Sequence, residues 1–284
     1  NVVDVIRDGQ TLYHRDLEEN ETGKDVDEGL LSIDGIFDFA NTCDLADVCE
    51  PIQQQIACNT AIAEEGLRGD WGANVGSILL KAYGDTPYNR AKALAAAGSD
   101  ARMSGCELPV IMLSGSGNQG ITASVPVAVY AEAMGKSEAE LFKAVAVSDL
   151  VTVHQKTGIG RLSAYCGAIS AGCGAGAGIA YLHGGSLEAV SHTLVNAIAI
   201  LSGTICDGAK PSCAAKIAAA VDAGILGYNM YLENQQFFGG DGIVTKGADK
   251  TVSNVGILAR EGMRETDRII LKIMLSDCYY RKSI

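Results

Sequence analysis

The chain has 284 residues, 48% of them apolar but only 6% aromatic, with 34 glycines and a formal charge of −12. That length can bury a sizeable core in one large domain or two smaller ones, and the composition predicts a core of small side chains with close backbone contacts. The acidic balance argues against a nucleic-acid or anionic-membrane partner.

Nine cysteines without a secretory signal predict reduced thiols and a cytoplasmic, soluble protein, and an odd number cannot form a complete disulfide set. The longest apolar run, Gly167 to Leu182, is interrupted by Gly and Ser and is short for a membrane span. Because the chain opens on Asn1 rather than Met, upstream sequence is expected to have been removed.

In chain order, the first segment predicts two short strands around Asp8-Gly9, a favourable hairpin turn. An acidic stretch from Asp16 to Glu28 then reads as an exposed linker. Residues 1–30 are accordingly the remnant of a small α/β element, and 31–284 a helical catalytic domain; the fold class is mainly α. Ser32 caps a helix from Ile33 to Ala40, and a long helix or helix pair runs from Asp44 to Gly66. A further helix covers Pro87 to Ala97, where alanines give high propensity. An apolar, strand-like run from Arg102 onwards leads into Ser114-Gly-Ser-Gly-Asn-Gln-Gly120, after which a helix begins near Gln119 to Ser124 with Pro126 in its first turns. Ser137 and Glu140 form a capping box for a helix reaching about Val153. Ser186 to Ser202 carries one apolar stripe and stops at Gly203. Ser212 caps Cys213 to Ala223, and the last helices cover 250–261 and 265–275.

Three stretches carry candidate chemistry. The 114–120 loop interleaves glycines with Ser114, Ser116, Asn118 and Gln119 ahead of a helix. Its backbone amides and side-chain donors, with Gly120 in the turn, suit a carboxylate or phosphate. No Gly-Lys-Ser/Thr follows, so it is not a P-loop. The next stretch gathers His154, a proton-transfer candidate, with the cations Lys156 and Arg161; Lys210 adds a third cation further on. His14, His183 and His192 have no such company and read as structural or exposed.

The cysteines form the third group. Cys166 to Cys206 and Cys173 to Cys213 share a spacing of 40 residues. If the two segments are neighbours, one pair can face a common site, where thiolates would hold a soft metal. Neither spacing is that of a zinc ribbon or a bacterial ferredoxin. Cys43, Cys49, Cys58 and Cys106 are expected at helical core positions.

Ala95-Ala-Ala-Gly-Ser-Asp-Ala-Arg-Met-Ser-Gly, Leu113-Ser-Gly-Ser-Gly-Asn-Gln-Gly-Ile-Thr-Ala and Ile205-Cys-Asp-Gly-Ala-Lys resemble the L-cysteine desulfidase family, which is related to the α-chain of iron–sulfur L-serine dehydratases. The resemblance runs from about Ser32 to Leu275. It implies a [4Fe–4S] cluster on three cysteines with one open iron, and a lyase that converts L-cysteine to pyruvate, ammonia and sulfide. Two of the three ligands fall on Cys166 and Cys206. The third belongs to a Gly-Cys-Thr-Glu-Pro motif that this chain lacks. A missing N-terminal segment or subunit, or a homodimer, is then required, and Cys173, Cys213 and Cys278 remain competitors. The substrate is a small amino acid, held by Ser114, Ser116, Asn118, Gln119, Gly120 and Arg161, with His154 or Lys210 as base. The alternatives are an L-serine dehydratase, of iron–sulfur type or of pyridoxal-phosphate type with Lys156 or Lys210 as aldimine lysine, and a non-catalytic amino-acid-binding subunit. No second glycine-rich phosphate loop supports the pyridoxal-phosphate form.

Overall fold

The structure, a computed structural model, describes residues 4–14, 30–160 and 163–280. It divides into two units, Asn1–Leu30 and Leu31–Ile284. Within the first, β1 (Asp4–Arg7) and β2 (Gln10–His14) pair antiparallel, with Arg7 opposite Gln10. Asp8 and Gly9 both take positive φ, 51° and 78°, the mirror-image turn whose twist matches a hairpin. The expected acidic linker lies outside the described residues.

The second unit is helical throughout. Its elements are α1 (Ile33–Thr42), α2 (Cys49–Arg68), α3 (Val75–Tyr83), α4 (Pro87–Met103), α5 (Gly117–Ala133), α6 (Glu138–Ile159), α7 (Gly167–Leu182), α8 (Leu187–Leu201), α9 (Cys213–Leu232), α10 (Ala248–Ile257) and α11 (Arg264–Tyr280). The mainly α fold class therefore holds. Side-chain caps start several helices where the sequence places them. Ser32, Thr86, Ser137 and Ser186 each accept a backbone N–H of the first turn, and Ser137 with Glu140 completes the capping box.

Burial, which the local pattern does not encode, extends other helices beyond their expected ends. α4 continues to Met103 because Ala93 to Ala101 are buried on every side. α6 reaches Ile159 and α9 reaches Leu232. α5 starts at Gly117, with Ser116 as its cap, so Pro126 sits mid-helix rather than in the first turns. Ser212 makes no capping bond. Cys43, Cys49, Cys58 and Cys106 are half-buried, and Cys106 lies in the loop after α4, so none is a core residue as expected.

α7 is the axis of the unit, packed by α5, α6, α8 and α9. It contains five glycines, each costing about 1 kcal/mol of helix propensity relative to alanine, so packing rather than intrinsic preference makes it helical. Their spacing explains the packing. Gly172 and Gly176 face Ala220 and Gly224 of α9, while Gly174 and Gly178 face Ser148 and Ala144 of α6. A Cβ on Gly176 would lie 2.6 Å from the Gly224 carbonyl oxygen, so backbone meets backbone. No helix among the described residues is long and apolar enough to cross a membrane.

Gly176→Val should therefore lower stability by about 1–3 kcal/mol through overpacking, read as a shift of the urea midpoint at unchanged slope. An unchanged midpoint would show that α7 and α9 can part without loss.

Candidate active site

The connection before α7 and the connection between α8 and α9 cross as antiparallel segments, bridged at Tyr165 and Ile205. Cys166 N–H donates to Thr204 O (3.0 Å), and Cys206 N–H donates to Ala164 O (2.6 Å). These bonds bring together two cysteines that lie 40 residues apart in sequence.

Cys166 is buried at the N-cap of α7, and Cys206 is half-buried. Interaction between the two thiols pulls their acidities apart. Cys206 is lowered to about 6 by that interaction, helped by the Gly208 N–H and the nearby Lys216 charge and opposed by burial. Cys166 is raised, by the same interaction and by burial. The thiol of Cys206 is therefore the more readily ionised of the two, and that of Cys166 the more strongly held.

Lys216 of α9 holds the Cys206 turn. Its ammonium donates to Asp207 Oδ1 (2.5 Å) and Ile205 O (3.1 Å). Lys210, expected as base or as the Asp207 partner, stands exposed at the loop tip, and Lys216 takes the Asp207 position. Nothing in the sequence around Lys216 marks it, since its partner lies across a loop. Cys213 closes the same loop, 3.5 Å from Lys210 N and 3.7 Å from Gly208 O. Cys173 is buried within α7, where desolvation pushes its thiol up to about 12.

On the opposite flank stands the 114–120 loop. Ser114 and Gly115 form a tight turn with φ of 48° and 79°, closed by two hydrogen bonds between Leu113 and Ser116. Ser116 caps α5 through the Gln119 N–H. The Asn118 side chain accepts from Arg102 (3.2 Å) and is engaged within the protein. Gly120 is required for packing, because a Cβ there would lie 2.0 Å from Ile111 O. Gln119 is the loop residue that meets the cysteine segment. Its amide lies against Gly167, the residue after Cys166, so closely that a Cβ there would sit 2.5 Å from Nε2. Its Oε1 is buried without a hydrogen-bond partner among the described residues.

Lys156 completes the surroundings. It is 7% exposed, in the last turn of α6. Burial pushes its ammonium down, against the pull of Cys206 and Cys166. His154 lies two residues back, about 200° around the helix, and does not join this group. Its Nε2 donates to Asp249 Oδ1 (2.8 Å), which also accepts from Ile33 N (3.1 Å), so His154 ties α6 to α10 and α1. Asp249 lines a separate cleft of about 700 Å³ with His192, Phe237 and Lys246; no cysteine borders it. Arg161 and the Cys278 side chain lie outside the described residues.

Two neighbouring cysteines, one of them with its thiol made more acidic, fit two ligand positions of a soft-metal centre. Among the described residues no group of three or more His, Cys, Asp or Glu side chains converges to hold a metal, so a third cysteine ligand is not supplied there. The fold and the site define an all-helical domain whose paired thiols sit at the buried start of a central glycine-rich helix.

The chain belongs to the serine dehydratase alpha chain family, whose model matches residues 10–272. It is 57% identical over 278 residues to a UPF0597 protein of Desulfitobacterium hafniense, covering 98% of this chain and 65% of that one. A UPF0597 protein of Lachnoclostridium phytofermentans is 50% identical over 272 residues, covering 96% and 65%, and one of Finegoldia magna is 46% identical over 275 residues, covering 97% and 66%. The chain thus spans about two thirds of the length of these relatives. No solved structure matches it.

Cys206 in the metal-free chain should react with iodoacetamide along a titration centred near pH 6. Cys166→Ala removes the partner thiol and should move that titration up towards an ordinary thiol, near 8.5. Identical curves for the two proteins, followed by peptide mass spectrometry, would dissolve the pair.

Proposed function

We propose that the chain is the catalytic part of an iron–sulfur lyase that eliminates the β-substituent of a small amino acid, with L-cysteine as substrate. Pyruvate, ammonia and sulfide are the products. The observation that carries this reading is the Cys166–Cys206 pair, brought together by backbone hydrogen bonds between two loops, in a family named for serine dehydratase.

Cys166 and Cys206 would hold the [4Fe–4S] cluster in two of its three cysteine positions, and the third ligand is assigned to sequence beyond this chain, such as the further length of the relatives. When bound, the cluster supplies a Lewis-acidic iron that eases departure of the leaving thiol or hydroxyl. The chain's own contribution is placement. The bridge at Tyr165 and Ile205 fixes the sulfurs, Lys216 and Asp207 fix the turn that carries Cys206, and Gln119 sets the α5 start beside Cys166. The amino acid is bound between the α5 start and the sulfur pair, with its β-substituent towards the sulfurs. Loss of the α-proton and of the leaving group yields an aminoacrylate, which hydrolyses to pyruvate and ammonia. The described cysteines are free thiols, which fits a reducing compartment such as the cytoplasm.

L-Serine is the second reading, favoured by the description of the matching family. A thiol leaves more readily than a hydroxyl and is the softer ligand for iron, which supports cysteine.

Full-length protein reconstituted anaerobically should bind iron and sulfide. Cys166→Ala and Cys206→Ala should each lose most of the iron, while Cys173→Ala and Cys213→Ala should keep it. L-Cysteine should give pyruvate and sulfide in equal amounts, with a higher kcat/KM than L-serine. Pyruvate from serine with no sulfide from cysteine would reverse the substrate assignment. Wild-type iron in both Cys166→Ala and Cys206→Ala would remove the pair from the metal.

A further inference from the structure

We propose that Lys156 and Gln119 form a zwitterion clamp, in which Lys156 binds the α-carboxylate of the amino acid and Gln119 Oε1 accepts from its α-ammonium. This deepens the reading above and rests on it.

Two observations carry the assignment. Lys156 is 7% exposed, yet its ammonium has no hydrogen-bond or ion-pair partner among the described residues. The side chain is largely buried while its cationic end has no acceptor among the described residues, which leaves it available to an anion. Gln119 is also 7% exposed, and its Oε1 is buried without a donor among the described residues. One group lacks an anion and the other lacks a donor, and both flank Cys166. Gln119 lies against Gly167, and the end of α6 that carries Lys156 is joined to the first turn of α7 by the bond from Gln155 Nε2 to Ser170 O (3.1 Å). An α-amino acid presents the complementary pair on adjacent bonds.

The Cys206 sulfur does not meet the need of Lys156 by itself. It already interacts with the Cys166 thiol and the Gly208 N–H, with Lys216 nearby. Among the described residues, Lys216 is engaged with Asp207 and Arg102 with Asn118. The specificity implied is for a free α-amino acid rather than an amide, an ester or a 2-hydroxy acid. Side-chain choice is left to the space beside the sulfurs.

The test is equilibrium binding by calorimetry on the full-length protein, with L-serine, L-serinamide and L-glycerate as probes. The wild type should prefer serine to both analogues. Lys156→Met should weaken serine on the order of 30-fold, the scale of one charged hydrogen bond, and leave serinamide unchanged. Lys156→Arg, which keeps the charge should the Met variant fail to fold, should retain the preference for serine over serinamide. Gln119→Leu should weaken serine but not glycerate. Equal weakening of serine and serinamide by Lys156→Met would reduce Lys156 to a structural role. A change confined to Cys206 alkylation would make it a counter-ion of the sulfurs, and the clamp would fall in either case. Binding with full discrimination but no turnover would overturn the lyase reading alone, whereas a wild type that binds none of the probes overturns both.

Discussion

Two backbone hydrogen bonds, Cys166 N–H to Thr204 O and Cys206 N–H to Ala164 O, are the constraint on which the site depends. They join the loop entering α7 to the loop between α8 and α9, and they do so at the cysteine residues themselves. Without them the thiols would belong to two unrelated connections. With them, the sulfurs meet beside the start of a helix that cannot move, because α5, α6, α8 and α9 surround it. The main chain sets the geometry, and the side chains then set the electrostatics.

Those electrostatics follow from burial acting on unlike partners. A lone buried thiol resists ionisation, as Cys173 does within α7. Cys206 escapes that fate because a second thiol interacts with it and a lysine stands near. The cost falls on Cys166, whose proton is more strongly held. The easier ionisation of one sulfur is thereby set against the harder ionisation of the other, a compromise between the low dielectric around them and the ligand character of thiolate. Lys216 contributes twice, through its charge and by holding Asp207 and Ile205 in the turn. Lys156 contributes charge alone, since nothing within the described chain claims it.

Much of this fold is legible because caps and turns are local. Ser32, the Ser137–Glu140 box and Asp8-Gly9 act within four residues of themselves, and the structure places them as their chemistry requires. Helix ends at Met103, Ile159 and Leu232 were not legible, because tertiary burial prolongs those helices past their propensity signals. The site divides in the same way. Spacing alone leaves Cys166 and Cys206 level with Cys173 and Cys213; the family resemblance favours the first pair, and the Tyr165–Ile205 bridge brings that pair together. Lys216 could not be found, because its partner Asp207 lies across a loop. The 114–120 loop is uniform in sequence, yet its members have separate tasks: Ser116 caps, Gly120 admits Ile111, Asn118 engages Arg102, and Gln119 lies against Gly167, the residue after Cys166. His154 drew attention as an ionisable group near cations, although helical geometry turns it towards Asp249.

The glycine faces of α7 have a consequence for how the site responds to events around it. Where backbone lies on backbone there are no rotamers to exchange and little compressible space, so a displacement of α6 or α9 is passed to Cys166 without being absorbed along the way. The helix behaves as a stiff rod seated in a socket, with the sulfur at its tip. Orientation of that sulfur is thus settled during folding and does not have to be found again at each encounter with a ligand.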